Sequence, residues 1–332
     1  MKTKRNISFI SAILSVLLLS LSVCASAQDE SATEPTDINI GIPVYSQYLH
    51  NGLIVNPAYA GTRGALSGFL SYRKQWFGIE GSPMTESISL HTPMKDEKVA
   101  VGLMAQFMQF GFTRSSNLYG SYAYHIKLEK GRLSFGLKAG FDMSNTNYGK
   151  LSYTDLSTAP PDPVFTSEDK PYILPNAGVG VYYYNDDFFA GLTIPSFLGY
   201  QKSPSGKVSP NLSFGNNNFI ITAGGLLSVS DLLKIKPSML INFSLNETEK
   251  ISQFDINTNF IIADLVWLGA AYRISEQVLV GIAQLQVNSQ LMIGLSYDYP
   301  VGRMQSYSNG SCEFVIRYDF GSKVSVSNPR YF

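Results

Sequence analysis

Between residues 65 and 320 the chain repeats one pattern fourteen times: eight to thirteen residues in which apolar side chains alternate with polar or small ones. Leu133, Phe135, Leu137, Ala139, Phe141 and Met143 share one face, against Ser134, Gly136, Lys138, Gly140 and Asp142. Leu291, Ile293, Leu295, Tyr297 and Tyr299 oppose Met292, Gly294, Ser296 and Asp298. Cys312, Phe314, Ile316, Tyr318 and Phe320 oppose Glu313, Val315, Arg317 and Asp319. A period of two is the signature of a strand with one apolar and one polar face. A strand of about ten residues is also what a tilted membrane crossing needs.

The candidate strands are 65–73, 85–92, 99–109, 116–127, 132–144, 175–184, 188–195, 218–228, 234–244, 252–262, 267–274, 277–286, 290–299 and 311–320. Their connections sort by parity. Odd connections include 74–84, 145–174, 196–217 and 300–310, whereas even ones such as Leu128–Gly131 and Asn185–Asp187 are short. A short odd connection at Ser275–Glu276 departs from the trend. An outer-membrane barrel sorts its loops in this way, with short periplasmic turns and longer outer loops, and its lipid face needs only every second residue apolar. Composition agrees: charged residues are 15%, below the roughly 25% of soluble domains, yet mean hydropathy is only +0.02. No apolar run long enough for a membrane helix follows the first 25 positions. The expected fold is an all-β transmembrane antiparallel barrel of about 14 strands.

The first 27 residues read as a secretory signal: basic Lys2, Lys4 and Arg5, an apolar stretch from Ile7 to Val23, then Ala25-Ser26-Ala27. The rival is a lipoprotein acylated at Cys24, but Val23 stands where a small residue is usual. Cleavage after Ala27 leaves 22 basic against 25 acidic residues and the single Cys312. That excludes a basic face for nucleic acid, an intrachain disulfide and a CxxC site. Residues 28–40 are expected to be a flexible segment, and 41–332 one barrel domain. The segment 151–175 carries five prolines and reads as an ordered loop or lid. The stretch 201–218 is rich in Ser, Pro, Asn and Gly and reads alike.

No catalytic, cofactor or metal motif is present. His50, His91 and His125 lack metal spacing, and neither a GxSxG elbow nor a phosphate loop occurs. A hydrolase pairing of Ser121 with His125 can be drawn on one strand face. Eight charges fall at inward positions: Lys138, Asp142, Asp255, Arg273, Asp298, Glu313, Arg317 and Asp319. They are either a mutually neutralising lumen network or a selectivity ring; mixed signs favour the network. Tyr72, Trp76, Phe77, Tyr182, Tyr183, Tyr184, Tyr297 and Tyr299 gather near strand ends, as an interfacial girdle does or as a protein-binding patch does.

The N-terminal part carries fixed words: Tyr45-Ser46-Gln47-Tyr48, Asn51, then Asn56-Pro57-Ala58-Tyr59-Ala60-Gly61. Arg73-Lys74-Gln75-Trp76-Phe77-Gly78 and Gly81-Ser82-Pro83-Met84-Thr85 follow. Later come Tyr122-Ala123-Tyr124, Lys236-Pro237-Ser238, Ser296-Tyr297-Asp298-Tyr299 and the terminal Pro329-Arg330-Tyr331-Phe332. Over essentially the whole mature chain this resembles the PorP/SprF family of outer-membrane proteins tied to type IX secretion. Cys312 departs from the pattern, since many members carry His there.

The resemblance implies a non-enzymatic, integral outer-membrane protein without a cofactor. It would support secretion or surface anchoring of proteins that bear a type IX C-terminal domain, adhesins among them. The implied partners are that domain, the periplasmic or outer-membrane machinery and outer-membrane lipid. The alternative is a diffusion porin or solute transporter. Asn56-Pro57 is a turn starter and Gly61 ends that turn. The motif before the first strand is expected at the periplasmic mouth or folded into the lumen as a plug. Gln47, Tyr48, Asn56, Pro57, Tyr59, Gly61, Arg73, Gln75, Trp76 and Gly78 are the candidate partner-binding or structural residues.

Overall fold

A computed structural model describes residues 44–94, 97–147, 172–202, 208–211, 217–245 and 251–321. These belong to one compact unit. The expected signal, the 28–40 segment, the terminal Pro329–Phe332 and nearly all of the proline-rich loop lie outside the described residues.

Fourteen strands form the barrel. They are β1 Leu66–Lys74, β2 Met84–Met94, β3 Val99–Phe110, β4 Thr113–Leu128, β5 Gly131–Thr146, β6 Tyr172–Tyr184 and β7 Phe188–Ile194. The ring continues with β8 Asn218–Gly225, β9 Leu233–Ser244, β10 Ile251–Ile262, β11 Val266–Arg273, β12 Val278–Gln286, β13 Leu291–Pro300 and β14 Ser311–Phe320. Each pairs antiparallel with its sequence neighbours. β1 pairs with β14 from Leu66↔Phe320 to Lys74↔Cys312, which closes the ring and leaves no free edge.

Two details differ from the alternation pattern. The segment 218–228 breaks after Gly225, and Leu227–Ser228 pairs only with β9, because the Leu226 amide turns to the Asp187 carbonyl. Gly199–Lys202 and Val208–Asn211 form a small hairpin within the β7–β8 loop. Loop parity is also less strict than the sequence suggests. β3 and β4 extend past their expected ends and leave only Gly111 and Phe112 between them.

The period of two becomes two chemical surfaces. Leu70, Leu103, Leu137, Phe141, Leu192, Leu268, Leu279 and Leu295 stand exposed on the outside. A soluble protein rarely exposes so many large apolar side chains side by side. A bilayer removes that cost, so this surface is the lipid band of an integral outer-membrane protein. The inner surface carries Ser67, Ser71, Ser87, Ser134, Thr193, Asn257, Asn259 and Ser296, all buried. No helix among the described residues is long and apolar enough to cross a membrane; the strands do the crossing.

What fills the interior is the chain itself. Between Tyr45 and Thr62 nearly every residue is buried, in a 3-10 turn Tyr48–His50, a helical turn Gly52–Val55 and a second 3-10 turn Pro57–Tyr59. This plug then joins β1.

Ring closure has a direct test. In a Cys312→Ser background, Leu70→Cys with Ile316→Cys should cross-link under oxidation, because these residues are register partners on the lipid face. Leu70→Cys with Val315→Cys should not, since Val315 points inward and is fully buried. Non-reducing electrophoresis reads both.

Candidate functional site

The plugged lumen gathers most of the polar groups that the sequence marks. Short even connections assign Leu66 and Phe320 to the inner end of the barrel and Arg73 and Ser311 to the outer end. Two charged layers tie the plug to the wall at these two levels.

In the outer layer Arg73 donates to Asp298 at 2.6 Å and Glu313 at 3.3 Å. Arg273 donates to Asp255 at 3.1 Å and Asp298 at 3.2 Å. Ser46 of the plug joins all of these but Asp255. Its amide donates to Glu313 at 2.7 Å, and its hydroxyl donates to Asp298 at 2.8 Å. The same oxygen accepts from Arg73 at 3.0 Å and Arg273 at 3.1 Å. A hydroxyl has one proton and two lone pairs, so Ser46 uses its full capacity. Gln47 extends the layer, donating to the Glu313 carbonyl and accepting from Gln284.

In the inner layer Arg63 pairs with Asp319 at 2.8 Å, Ser67 donates to the same carboxylate, and Arg317 lies 3.6 Å from it. Arg317 also donates to Nδ1 of His50 at 3.2 Å. Burial, then the neighbouring Arg317 and Lys236 charges, holds His50 well below the ordinary histidine range. It is therefore neutral, with Nδ1 the acceptor and the proton on Nε2.

Between the layers the plug packs by shape. Asn56 caps its own turn by accepting from the Ala58 amide, and donates to the Val181 carbonyl on β6. Pro57 opens that turn with a backbone angle it already holds. The wall makes room with two glycines. A Cβ on Gly136 would fall 2.1 Å from the Ala58 nitrogen, and one on Gly180 would fall 2.0 Å from Oδ1 of Asn56. Tyr59 meets His91 and Tyr182 edge-on. His91 accepts from the Gly61 amide, and His125 donates to the Ala60 carbonyl. Leu53, Ala58, Tyr59 and Ala60 pack on Ala100, Ala123, Tyr182 and Phe189 of the wall. Tyr48 and Val55 pack on Ile220 and Leu240.

Of the marked residues, Gln47, Tyr48, Asn56, Pro57, Tyr59, Gly61 and Arg73 thus belong to one buried unit with Arg273, Asp298, Glu313 and Arg317. Gln75, Trp76 and Gly78 stand apart at the outer rim. The Phe77 amide donates to Gly310, Asn309 returns a bond to Phe77, and the Trp76 amide donates to Ser311. Trp76 has φ +52° and meets Phe110 edge-on, whereas Gly78 is exposed with φ +94°. Lys138 and Asp142 lie apart again, on β5 in a side cavity. Arg63 and Gln284 carry no mark in the sequence, and Ser46 and Lys236 are marked only as members of family words. Inward parity points to the wall positions of Gln284 and Lys236; nothing local flags the role of Ser46 or Arg63. His125, the candidate base of a hydrolase pair, is engaged by the plug backbone instead.

A family model described as type IX secretion system membrane protein PorP/SprF matches residues 38–318. A search of the curated proteins finds no match. Among solved structures, the Ralstonia pickettii toluene transporter TbuX aligns with a TM-score of 0.51 at 10% identity, over 82% of this chain and 94% of that one. The CymD monoaromatic hydrocarbon channel aligns with a TM-score of 0.50 at 12% identity, over 86% of this chain and 94% of that one. At such identity the likeness is one of barrel fold.

Two substitutions test the plug. Ser46→Ala strands two arginines and the Asp298 carboxylate without their shared hydroxyl and should cost about 1–3 kcal/mol, read as a lower denaturant midpoint. Gly136→Val should unseat Pro57–Ala58, read as new protease cleavage between residues 44 and 64 in a barrel that still shows heat-modifiable migration.

Proposed function

Because this chain belongs to the PorP/SprF family of type IX secretion system membrane proteins, we propose that it serves that system as a plugged outer-membrane anchor. In this reading the barrel supports secretion or surface attachment of proteins with a type IX C-terminal domain. It acts through its outer rim and not by passing material through its centre.

The observation that carries this reading is the filled lumen. Ser46, Leu53, Asn56 and Tyr59 occupy the space a diffusing solute would need, and each is at most 4% exposed. A selective pore concentrates one sign of charge at a water-filled constriction. Here the arginines of both layers are paired with carboxylates at 2.6–3.6 Å. That is the arrangement of a wall fastened to its contents.

The rim supplies what docking needs. Trp76 holds a backbone angle that costs a non-glycine residue roughly 1–3 kcal/mol, and backbone bonds to the β13–β14 loop fix it there. A fixed aromatic, half-buried beside Arg303 and Met304 around a cavity of about 390 Å³, has the composition of an interface hot spot. The other reading, a diffusion porin, needs the plug to leave.

Two measurements separate them. Purified protein in planar bilayers is expected to give no steady ion conductance; a large, ohmic, long-lived one would sink the anchor reading. Deleting the gene should remove one or a few large signal-bearing proteins from the cell surface, and Trp76→Ala should reproduce that loss with the barrel still folded. Loss of all type IX substrates would make the protein part of the shared machinery. An unchanged surface proteome would return the question to solute transport.

A further inference from the structure

Beside the plug, on the β3–β10 side and toward the outer end, lies a cavity of about 170 Å³ that neither charged layer reaches. Its floor is Tyr45, Tyr48 and Val55 of the plug, and its outer edge is Pro195–Tyr200. We propose that this cavity is a binding site for a carboxylate-ended peptide, with Lys138 as the group that receives the carboxylate.

Lys138 is 6% exposed, and its ammonium rests 4.5 Å above the Tyr119 ring. Among the described residues no carboxylate lies within ion-pair distance of it, unlike the arginines of the two layers. The acid facing the same cavity, Asp142, is already satisfied by neutral donors. It accepts from the Tyr119 hydroxyl at 2.5 Å and from Asn176 at 3.0 Å. The cavity therefore holds one enclosed cation without a direct anion, and a buried charge is stabilised when an anion meets it. The aromatic ring beneath holds the ammonium in place, as cation–π contacts do.

The remaining lining says what the anion is attached to. Between the apolar Met104, Leu174, Ile220 and Leu240, the side-chain oxygens of the Asn117 and Asn242 amides are buried without a hydrogen-bond partner. A polymethylene tail would leave those amides facing hydrocarbon, which is costly. A peptide offers donors and acceptors in alternation. The volume falls below the roughly 300 Å³ at which pockets hold a whole drug-sized ligand, so the site fits the end of a chain. The assignment needs only the cavity, and holds or fails whatever the role in secretion.

The test is calorimetric titration of the purified, detergent-folded protein. Three probes are used: N-acetyl-Gly-Ala-Ala with a free carboxylate, the same peptide as its C-terminal amide, and octanoate. The free acid is expected to bind saturably. The amide should bind at least about tenfold more weakly, the loss expected for one charge-assisted contact. Lys138→Met should lose the preference for the acid, and Lys138→Arg should keep it. Heat-modifiable migration confirms that each variant folds. Leu198→Trp, which fills the cavity and leaves Lys138 in place, should abolish binding even if Lys138→Met fails to fold. Equal binding of acid and amide, undiminished binding by Lys138→Met, octanoate competing as tightly as the peptide, or no saturation at millimolar concentration would each overturn the proposal.

Discussion

A closed fourteen-strand ring has to put something inside itself, and the rest of this structure follows from that requirement. Its strands turn apolar side chains to lipid, so hydroxyls, amides and charges turn inward. Buried charges without partners are costly. Water could satisfy them, and would make a pore. This chain satisfies them with its own N-terminal segment, and Ser46 is the point where the solution is most concentrated. One hydroxyl serves two guanidinium groups and a carboxylate, and its amide serves a second carboxylate. Arg63, at the other end of the same segment, repeats the device with Asp319. From the Arg73 level to the Ser67 level is six residues of strand, on the order of 20 Å at the usual rise. The plug is therefore pinned at both ends of most of a membrane crossing.

The barrel was legible because lipid imposes a strict rule. Every second residue of every crossing has to be apolar, and turns have to interrupt the pattern. The fourteen segments read from alternation correspond to the fourteen strands, with ends shifted by a few residues as strand boundaries usually are. The shared interior was harder to read, because contacts between Ser46 and Asp298, or Asn56 and Val181, join residues far apart in sequence. Alternation fixes which face a residue lies on but not what it meets there. A partial signal did exist. Ile220, Leu240, Tyr182, Phe189, Val278 and Val280 are large, and yet they occupy inward positions. Such residues facing a water-filled lumen would be costly, so an inner face that is partly apolar implies an occupant. Ala100 and Ala123, small and fully buried, and the wall glycines Gly136 and Gly180 mark where that occupant packs on the wall.

The family words divide along the same physical line. Gln47, Tyr48, Asn56, Pro57, Tyr59, Gly61 and Arg73 make contacts inside one buried unit, and their chemistry is spent on holding plug to wall. Gln75, Trp76 and Gly78 follow in sequence without a break, yet they serve the rim. Arg73 is the last residue of the first strand whose side chain reaches the lumen network. Three positions later Trp76 stands in a left-handed backbone conformation, its amide bonded to Ser311 at the start of the last strand, while Phe77 bonds the loop before it. One short stretch thus couples the plug's outer fastening to the shape of the outer loops.

In the anchor reading, that coupling decides where a partner would act on this molecule. A protein docking at the centre of the lumen would have to displace Leu53, Val55 and Tyr59, each worth about 1.5–3 kcal/mol of burial, before gaining a contact of its own. One docking at Trp76, beside Arg303 and Met304, meets a half-buried ring already fixed by its backbone bonds, and loses little freedom in ordering it. Binding energy is therefore more cheaply obtained at the rim than in the bore. The bore contributes by keeping the rim rigid: Arg73 is held by Asp298, Glu313 and Ser46, and the strand that carries it ends where the rim loop begins. In the anchor reading the buried charges act on recognition indirectly, by fixing the ends of the strands from which the rim loops are hung.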